Sequence, residues 1–373
     1  MVEPADRLRD AALHPPRLTA DLPGIGGRMR VRDEDFLVDE IPAYPPDGKL
    51  GGWVLLQLRK RGMSTEDAVR TLAKALGIGI GDIGYAGRKD RDAISRQWIS
   101  VPVLHRDRLA GLSLDGIELG PPHLHSHKLR TGHLHGNRFE IVIRELGCDV
   151  DTAIDRCRAK LDRLAEQGGL PNAFGPQRFG DGGNGVERGL AAMQGGRGGA
   201  RGNMTVAAGQ AALFNLYLAL RAERGVLRRA LVGDILKKTD TGGLFVCSDA
   251  GADDERLAAG TLVVTGPIYG SRMMSPPVDS PAHTLEQEVL ALADVDDGAL
   301  RSLGRAALGT RRPLQVAVGE AALQPAPALD ASSAAALRVT FSLPAGCFAT
   351  ALCREFQSGP GGHDVAGTPG QVS

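Results

Sequence analysis

Residues 84–97 set Lys89 and Asp90 side by side after a glycine turn made by Gly84, Tyr85, Ala86 and Gly87, and end at Gln97. A carboxylate close to a cation stays ionised even in a partly dry pocket, and Arg88, Lys89 or a basic residue from another segment can supply that cation. An ionised carboxylate in turn can attack carbon or take up a proton. Read alone, the same alternating charges after a glycine also describe a solvated turn. A second group lies in Asn137-Arg138-Phe139-Glu140-Ile141-Val142-Ile143-Arg144, which alternates as a strand and so puts Asn137, Phe139, Ile141 and Ile143 on one face. An amide that both donates and accepts, beside an aromatic ring, suits a pyrimidine base. The plainer alternative makes Phe139 core and Asn137 the end of a turn.

The elements that must position these groups are partly legible. Strands are expected over 28–38 and 52–59, and strand signals resume at Ile83 and over 97–103. Ser64-Thr65-Glu66-Asp67 reads as a capping box opening a helix with the apolar stripe Ala68, Val69, Leu72, Ala73, Leu76, closed by Gly77. Gly79, Gly81 and Gly84 match the spacing of a dinucleotide-binding loop. A helix precedes them and strand-like residues follow, the reverse of what that loop needs, so a nucleotide site is rejected. Residues 206–224 form a helix with a packing role, 321–337 show no single period, and the tail 358–373 has too few apolar residues to order itself.

The densest basic stretch, 121–144, holds His123, His125, His127, Lys128, Arg130, His133, His135, Arg138 and Arg144, and phosphate contact is its natural use. Alternating histidines at 123, 125 and 127 can share a strand face, but no carboxylate or cysteine nearby completes a metal set, so no metal is assigned. The Gly/Arg loop 193–203 reads as a long surface loop that can also follow a phosphate backbone. At 373 residues the chain exceeds the usual size of one core, which predicts two domains. Lys plus Arg equals Asp plus Glu at 44 each, so any nucleic-acid surface must be a local patch. Five cysteines without a Cys-x-x-Cys pair indicate neither a disulfide framework nor a zinc knuckle and fit a reducing cytoplasm. Residues 1–18 lack the apolar core of a signal peptide, and no apolar run is long enough to span a bilayer.

The segment around Lys89-Asp90 resembles the Gly-x-Lys-Asp signature of the TruD family of tRNA pseudouridine synthases, and four more segments resemble the same family in the same order. They are Asp33 to Glu40 around Phe36, the basic run ending in Gly136-Asn137-Arg138-Phe139, Pro171-Asn172-Ala173-Phe174-Gly175-Pro176-Gln177-Arg178-Phe179-Gly180, and Leu343-Pro344-Ala345-Gly346-Cys347-Phe348-Ala349-Thr350 leading into Arg354-Glu355. Ala173 and Cys347 stand where the family usually has tyrosine and serine. The resemblance implies that Asp90 is the catalytic carboxylate, that Phe36, Asn137, Phe139 and Phe348 form the substrate site, and that Lys89 and Gln97 support it.

It further implies an α/β (α+β) catalytic domain on a mixed, mainly antiparallel sheet, assembled from 1–168 and 320–357, with an inserted second α/β domain at 169–319. The implied reaction is isomerisation of uridine to pseudouridine at uridine-13 of tRNA. It has no net redox change and calls for no cofactor. The expected partner is tRNA, with no membrane, a monomeric state and a cytoplasmic location. Two other readings stay open: a tRNA-binding or RNA-folding protein that keeps the scaffold without turnover, and a metal-dependent RNA hydrolase using the histidine run.

Overall fold

The structure, a computed structural model, describes residues 4–91, 93–194, 203–329 and 335–360. Asp92, most of the Gly/Arg loop and the tail beyond residue 360 lie outside the described residues, whereas the start of the expected tail is ordered: Ser358 is buried and its carbonyl accepts from Lys160 Nζ at 2.9 Å. By contacts the chain divides into two compact units, one of Met1–Thr19, Asp162–Ala317 and Thr350–Glu355, the other of Ala20–Leu161, Val318–Ala349 and Phe356–Ser373.

The second of these is built on a ten-stranded sheet. Its order is Gly319–Ala326, Ala336–Pro344, Leu134–Leu146, Phe36–Pro42, Ile94–Pro102, Trp53–Lys60 and Ile117–Leu119, with Gly26–Arg28, Gly84–Tyr85 and His123–His125 pairing onto it. Phe36–Pro42 runs parallel to Ile94–Pro102, and the neighbouring pairings are antiparallel, so the sheet is mixed and mainly antiparallel, as expected.

On one face Val54, Leu56, Leu58, Ile99 and Val101 pack against the helix Thr65–Leu76, which buries Ala68, Val69, Leu72, Ala73 and Leu76. Each large aliphatic side chain so buried contributes about 1.5–3 kcal/mol. The helix starts as its sequence predicts, with Ser64 Oγ accepting from the Asp67 N–H, and stops at Gly77, whose φ of 67° favours glycine.

The first unit centres on the helix Asn203–Glu223. Leu213, Phe214, Leu216, Tyr217, Leu218 and Leu220 are all buried, so it is apolar nearly all round and forms the middle of its core. The helix Gly185–Met193 crosses it at Gly189 and Gly209, where a Cβ on either would collide with the backbone of the other. A four-stranded antiparallel sheet, ordered Leu244–Val246, Ile235–Lys238, Leu262–Ile268 and Thr310–Pro313, completes the unit. Two buried ion pairs, Arg221–Asp234 and Arg311–Glu286, each at 2.8 Å, lie within it.

Several expectations are revised. The strand expected over 28–38 is interrupted. Gly26–Arg28 and Phe36–Pro42 are separate strands, because Asp35 accepts from the Arg32 N–H at 3.1 Å and closes a turn at Asp33–Asp35. Residues 321–337 hold most of one strand and the start of another. The first lies at the sheet edge, exposed at most positions and with Pro325 in it, which hides its period. At the rejected dinucleotide motif, the Gly79 N–H already donates to Asp82 Oδ2 at 3.0 Å, within a short turn between helix and strand.

Candidate active site

The loop carrying Lys89 and Asp90 links the strands Gly84–Tyr85 and Ile94–Pro102 and is tied down from below. The wholly buried Thr65 accepts from the Lys89 N–H at 2.8 Å and donates to Gln97 Oε1 at 2.8 Å, while Gln97 Nε2 donates to the Gly87 carbonyl at 3.3 Å. Lys60, buried under the loop, donates from Nζ to the carbonyls of Asp90, at 2.6 Å, and Met63, at 2.7 Å. Gln97 therefore holds backbone rather than substrate. The backbone of Gly87, Lys89 and Asp90 is thus held by hydrogen bonds, while the Asp90 side chain is 77% exposed.

Of the three sources of positive charge considered for Asp90, two are taken. Arg88 pairs with Glu66 at 2.5 Å, and Lys89 turns inward to Glu40 at 2.9 Å. The third source is Arg30, whose Nη2 lies 3.8 Å from Asp90 Oδ2 and whose guanidinium carbon sits 4.3 Å above the Phe36 ring. The sequence pattern does not single out Arg30. It reaches this position because its φ of 57° turns the chain before Phe36, where the pattern predicts an uninterrupted strand.

The sheet register gathers the remaining groups. Phe36 pairs with Ile141, Val38 with Phe139 and Glu40 with Asn137, so Phe36, Glu40, Asn137 and Phe139 share a face. Lys89 Nζ donates to Asn137 Oδ1 at 2.5 Å and is shielded from water together with Glu40. With Oδ1 occupied by an ammonium, the amide presents its Nδ2 hydrogens as donors. The second oxygen of Glu40 accepts from the Trp98 N–H at 3.2 Å. The rings of Phe139 and Phe341 stack at 5.2 Å, so Phe139 is buried wall rather than an open platform. Phe348 is half-buried in the turn after Ala336–Pro344, which leaves the sheet where Leu343 pairs with Asn137.

The basic stretch 121–144 does not act as one patch. Arg144 is buried against Asp35 at 2.6 and 2.8 Å, and that carboxylate raises its pKa. Arg138 pairs with Glu320. The strand covers only His123–His125, so the three histidines do not share a strand face. His125 is buried with Asp47, which lies 3.3 Å from its Nδ1. Among the described residues no group of three or more His, Cys, Asp or Glu is placed to hold a metal ion.

A cavity of about 510 Å³ is lined mostly from the other sheet face, by Leu37, Asp39, Arg138, Glu140, Glu320 and Thr340, together with atoms of Phe139 and Phe341. Its charges are largely consumed by pairs, Asp39 with Arg96 at 3.6 Å and Glu140 with Arg338 at 3.3 Å. Among the described residues no convergent reactive group faces it.

The sequence matches the family description tRNA pseudouridine synthase D (TruD) over residues 15–191 and 202–356. The chain belongs to the TruD family. Among similar TruD relatives, tRNA pseudouridine synthase D of Anaeromyxobacter sp. (strain Fw109-5) is 41% identical over 91% of this chain and 95% of its own length. That of Thermus thermophilus is 41% identical over 91% of each. A crystal structure described as the putative TruD of Methanosarcina mazei superposes with a TM-score of 0.74, covering 95% of this chain and 98% of its own, at 23% identity, which shows the shared fold. All five sequence segments that pointed to TruD fall inside the matched residues.

Proposed function

We propose that this chain isomerises a uridine of tRNA to pseudouridine, at uridine-13, with the Asp90 carboxylate as the reacting group. The observation that carries this reading is the placement of Asp90: an exposed carboxylate whose backbone carbonyl is held by Lys60, with Arg30 within ion-pair range and no other cation within 4 Å of the carboxylate oxygens among the described residues. The domain unit bearing the ten-stranded sheet is the catalytic domain in this reading, and 169–319 is the inserted one.

In the reaction the bond between the sugar C1′ and N1 of uracil breaks, the base turns, C5 bonds to C1′, and the proton lost from C5 is matched by one taken up at N1, so the product is an isomer of the substrate. Atoms and electrons balance without an outside reagent. A carboxylate serves either by attacking C1′ or by taking a sugar proton. Arg30, 3.8 Å from Asp90 Oδ2, attracts the carboxylate charge, and that attraction strengthens as water leaves the site.

Taking the uridine out of its stack costs a few kcal/mol. Stacking on an aromatic side chain returns about 1–3 kcal/mol per base, and the half-buried Phe348 is the ring assigned to it. Asn137, with Nδ2 as donor, takes a uracil carbonyl, while Phe36 and Phe139 form the apolar wall. Lys89 fixes the Asn137 amide and, through Glu40, the strand beneath it. The enzyme acts in the cytoplasm as a monomer and needs no cofactor in this reading.

The test is base-resolution pseudouridine mapping of an unmodified tRNA transcript incubated with the protein, with no cofactor or metal added. Product at position 13 is the expected result. Salt-sensitive tRNA binding without product at any uridine would replace this reading with that of an RNA-binding protein.

A further inference from the structure

The segment 171–180 carries a charge that the reaction above does not use. Its backbone is firmly held. The Phe174 N–H donates to Asn215 Oδ1 at 2.9 Å, and its carbonyl accepts from Asn215 Nδ2 at 2.9 Å, Asn215 being wholly buried. Phe179 is buried, and Gly180 sits at φ 70°, ψ 178°, a conformation essentially restricted to glycine. Between these anchors Arg178 is held in place.

Two guanidiniums flank the Phe174 ring, with the Arg312 carbon 4.3 Å and the Arg178 carbon 5.9 Å from its centroid. They differ in their partners. Arg312 donates from Nη2 to Asn172 Oδ1 at 2.5 Å and from Nε to the Asn172 carbonyl at 3.1 Å. Arg178 is half-buried, its Nε is closed off from solvent, and that nitrogen has no hydrogen-bond acceptor among the described residues. Burial pulls its pKa down, and no acidic group among the described residues opposes that shift.

A partly desolvated charge without a counter-charge is unfavourable, and proteins ordinarily pair or neutralise such groups. Arginine cannot neutralise itself by losing a proton. An anion supplied by a ligand satisfies it, and Arg312 on the same ring raises the local positive potential. The planar fork of arginine matches phosphate oxygens in a bidentate way.

We infer that Arg178, braced against Phe174 beside Arg312, is a seat for a phosphate group of the bound RNA backbone. This deepens the proposed function and rests on its RNA substrate. The contact sets the position of the RNA and carries no base sequence information.

The experiment measures tRNA affinity across a salt series for wild type, Arg178→Met and Arg178→Lys, with thermal unfolding of each free protein. The expected result for Arg178→Met is affinity weaker on the order of ten-fold at low salt, with the slope of log K against log salt smaller by about one. Arg178→Lys should recover part of that slope. The free Arg178→Met protein should unfold at the wild-type temperature or higher, because an unsatisfied charge has been removed.

Unchanged affinity and slope in Arg178→Met would overturn the inference. A marked drop in its unfolding temperature would do so too, by assigning the residue a structural role. Stabilisation of wild type by millimolar inorganic phosphate, absent in Arg178→Met and unaccompanied by any loss of tRNA affinity, would mark a free-anion site and overturn the backbone contact. Failure of wild type itself to bind or modify tRNA would instead sink the proposed function.

Discussion

Replacing Arg30 by glutamine removes the guanidinium that lies 3.8 Å from Asp90 Oδ2, and glutamine meets the same strained φ of 57°, so the backbone cost is left largely unchanged. Two unit charges at that separation attract by about 1 kcal/mol in bulk water and about 4 kcal/mol at an effective dielectric of 20. In the free protein the pair faces solvent and contributes under about 1 kcal/mol. Loss of the guanidinium from the Phe36 ring adds about 0.5–1 kcal/mol. The Arg30→Gln protein should therefore fold, with an unfolding temperature lower by only a few degrees.

With RNA bound and water displaced, the same pair moves toward the higher figure. If the transition state draws on this difference of about 3 kcal/mol and the bound ground state does not, removing the guanidinium lowers the rate by roughly one to two hundred-fold. Single-turnover pseudouridine formation at saturating tRNA reads this directly, and Arg30→Lys should restore part of the rate because the charge returns. A single-turnover rate for Arg30→Gln within about three-fold of wild type would refute the argument that this guanidinium maintains the reacting carboxylate.

Lys89→Met should lower stability by about 3–5 kcal/mol, since it strands the buried Glu40 carboxylate. Adding Glu40→Gln should recover most of that loss in urea unfolding, and a double variant no more stable than the single one would contradict the pairing. Hydrogen bonds from the Ser126 hydroxyl and the Lys49 N–H hold the Asp47 carboxyl at about 2, below its ordinary 3.8. Its contribution to stability is thus complete above pH 3.8 and lost as the pH falls toward 2. The difference in unfolding temperature between wild type and Asp47→Asn should shrink to nothing across that window, and a difference independent of pH would count against it.

Local chemistry was readable from the sequence where it depended on neighbours in the chain. The helix Thr65–Leu76 announced both ends, because Ser64, Asp67 and Gly77 act through their own backbone. The strand Leu134–Leu146 announced its face by alternation. Long-range partners were not readable. Lys89 stands next to Asp90 in the chain, yet its ammonium is drawn to Glu40 and Asn137 on the sheet below. Arg30 lies sixty residues before Asp90 and meets it only because a positive φ breaks an apparently continuous strand. The edge strand Gly319–Ala326 has little buried surface, so no apolar period marked it. Arg178 was visible as part of a motif, but the lack of a partner for its Nε among the described residues is a property of the folded chain alone.

The central claim is that the Asp90 carboxylate performs the chemistry, and Asp90→Asn tests it with least disturbance, because the side chain is 77% exposed and its backbone is held by Lys60. The measurement is single-turnover pseudouridine formation on a tRNA transcript, with tRNA affinity determined in parallel. The predicted result is affinity close to that of wild type and no detectable product. Product formation by Asp90→Asn within about ten-fold of the wild-type rate would contradict the account and move the reacting group elsewhere.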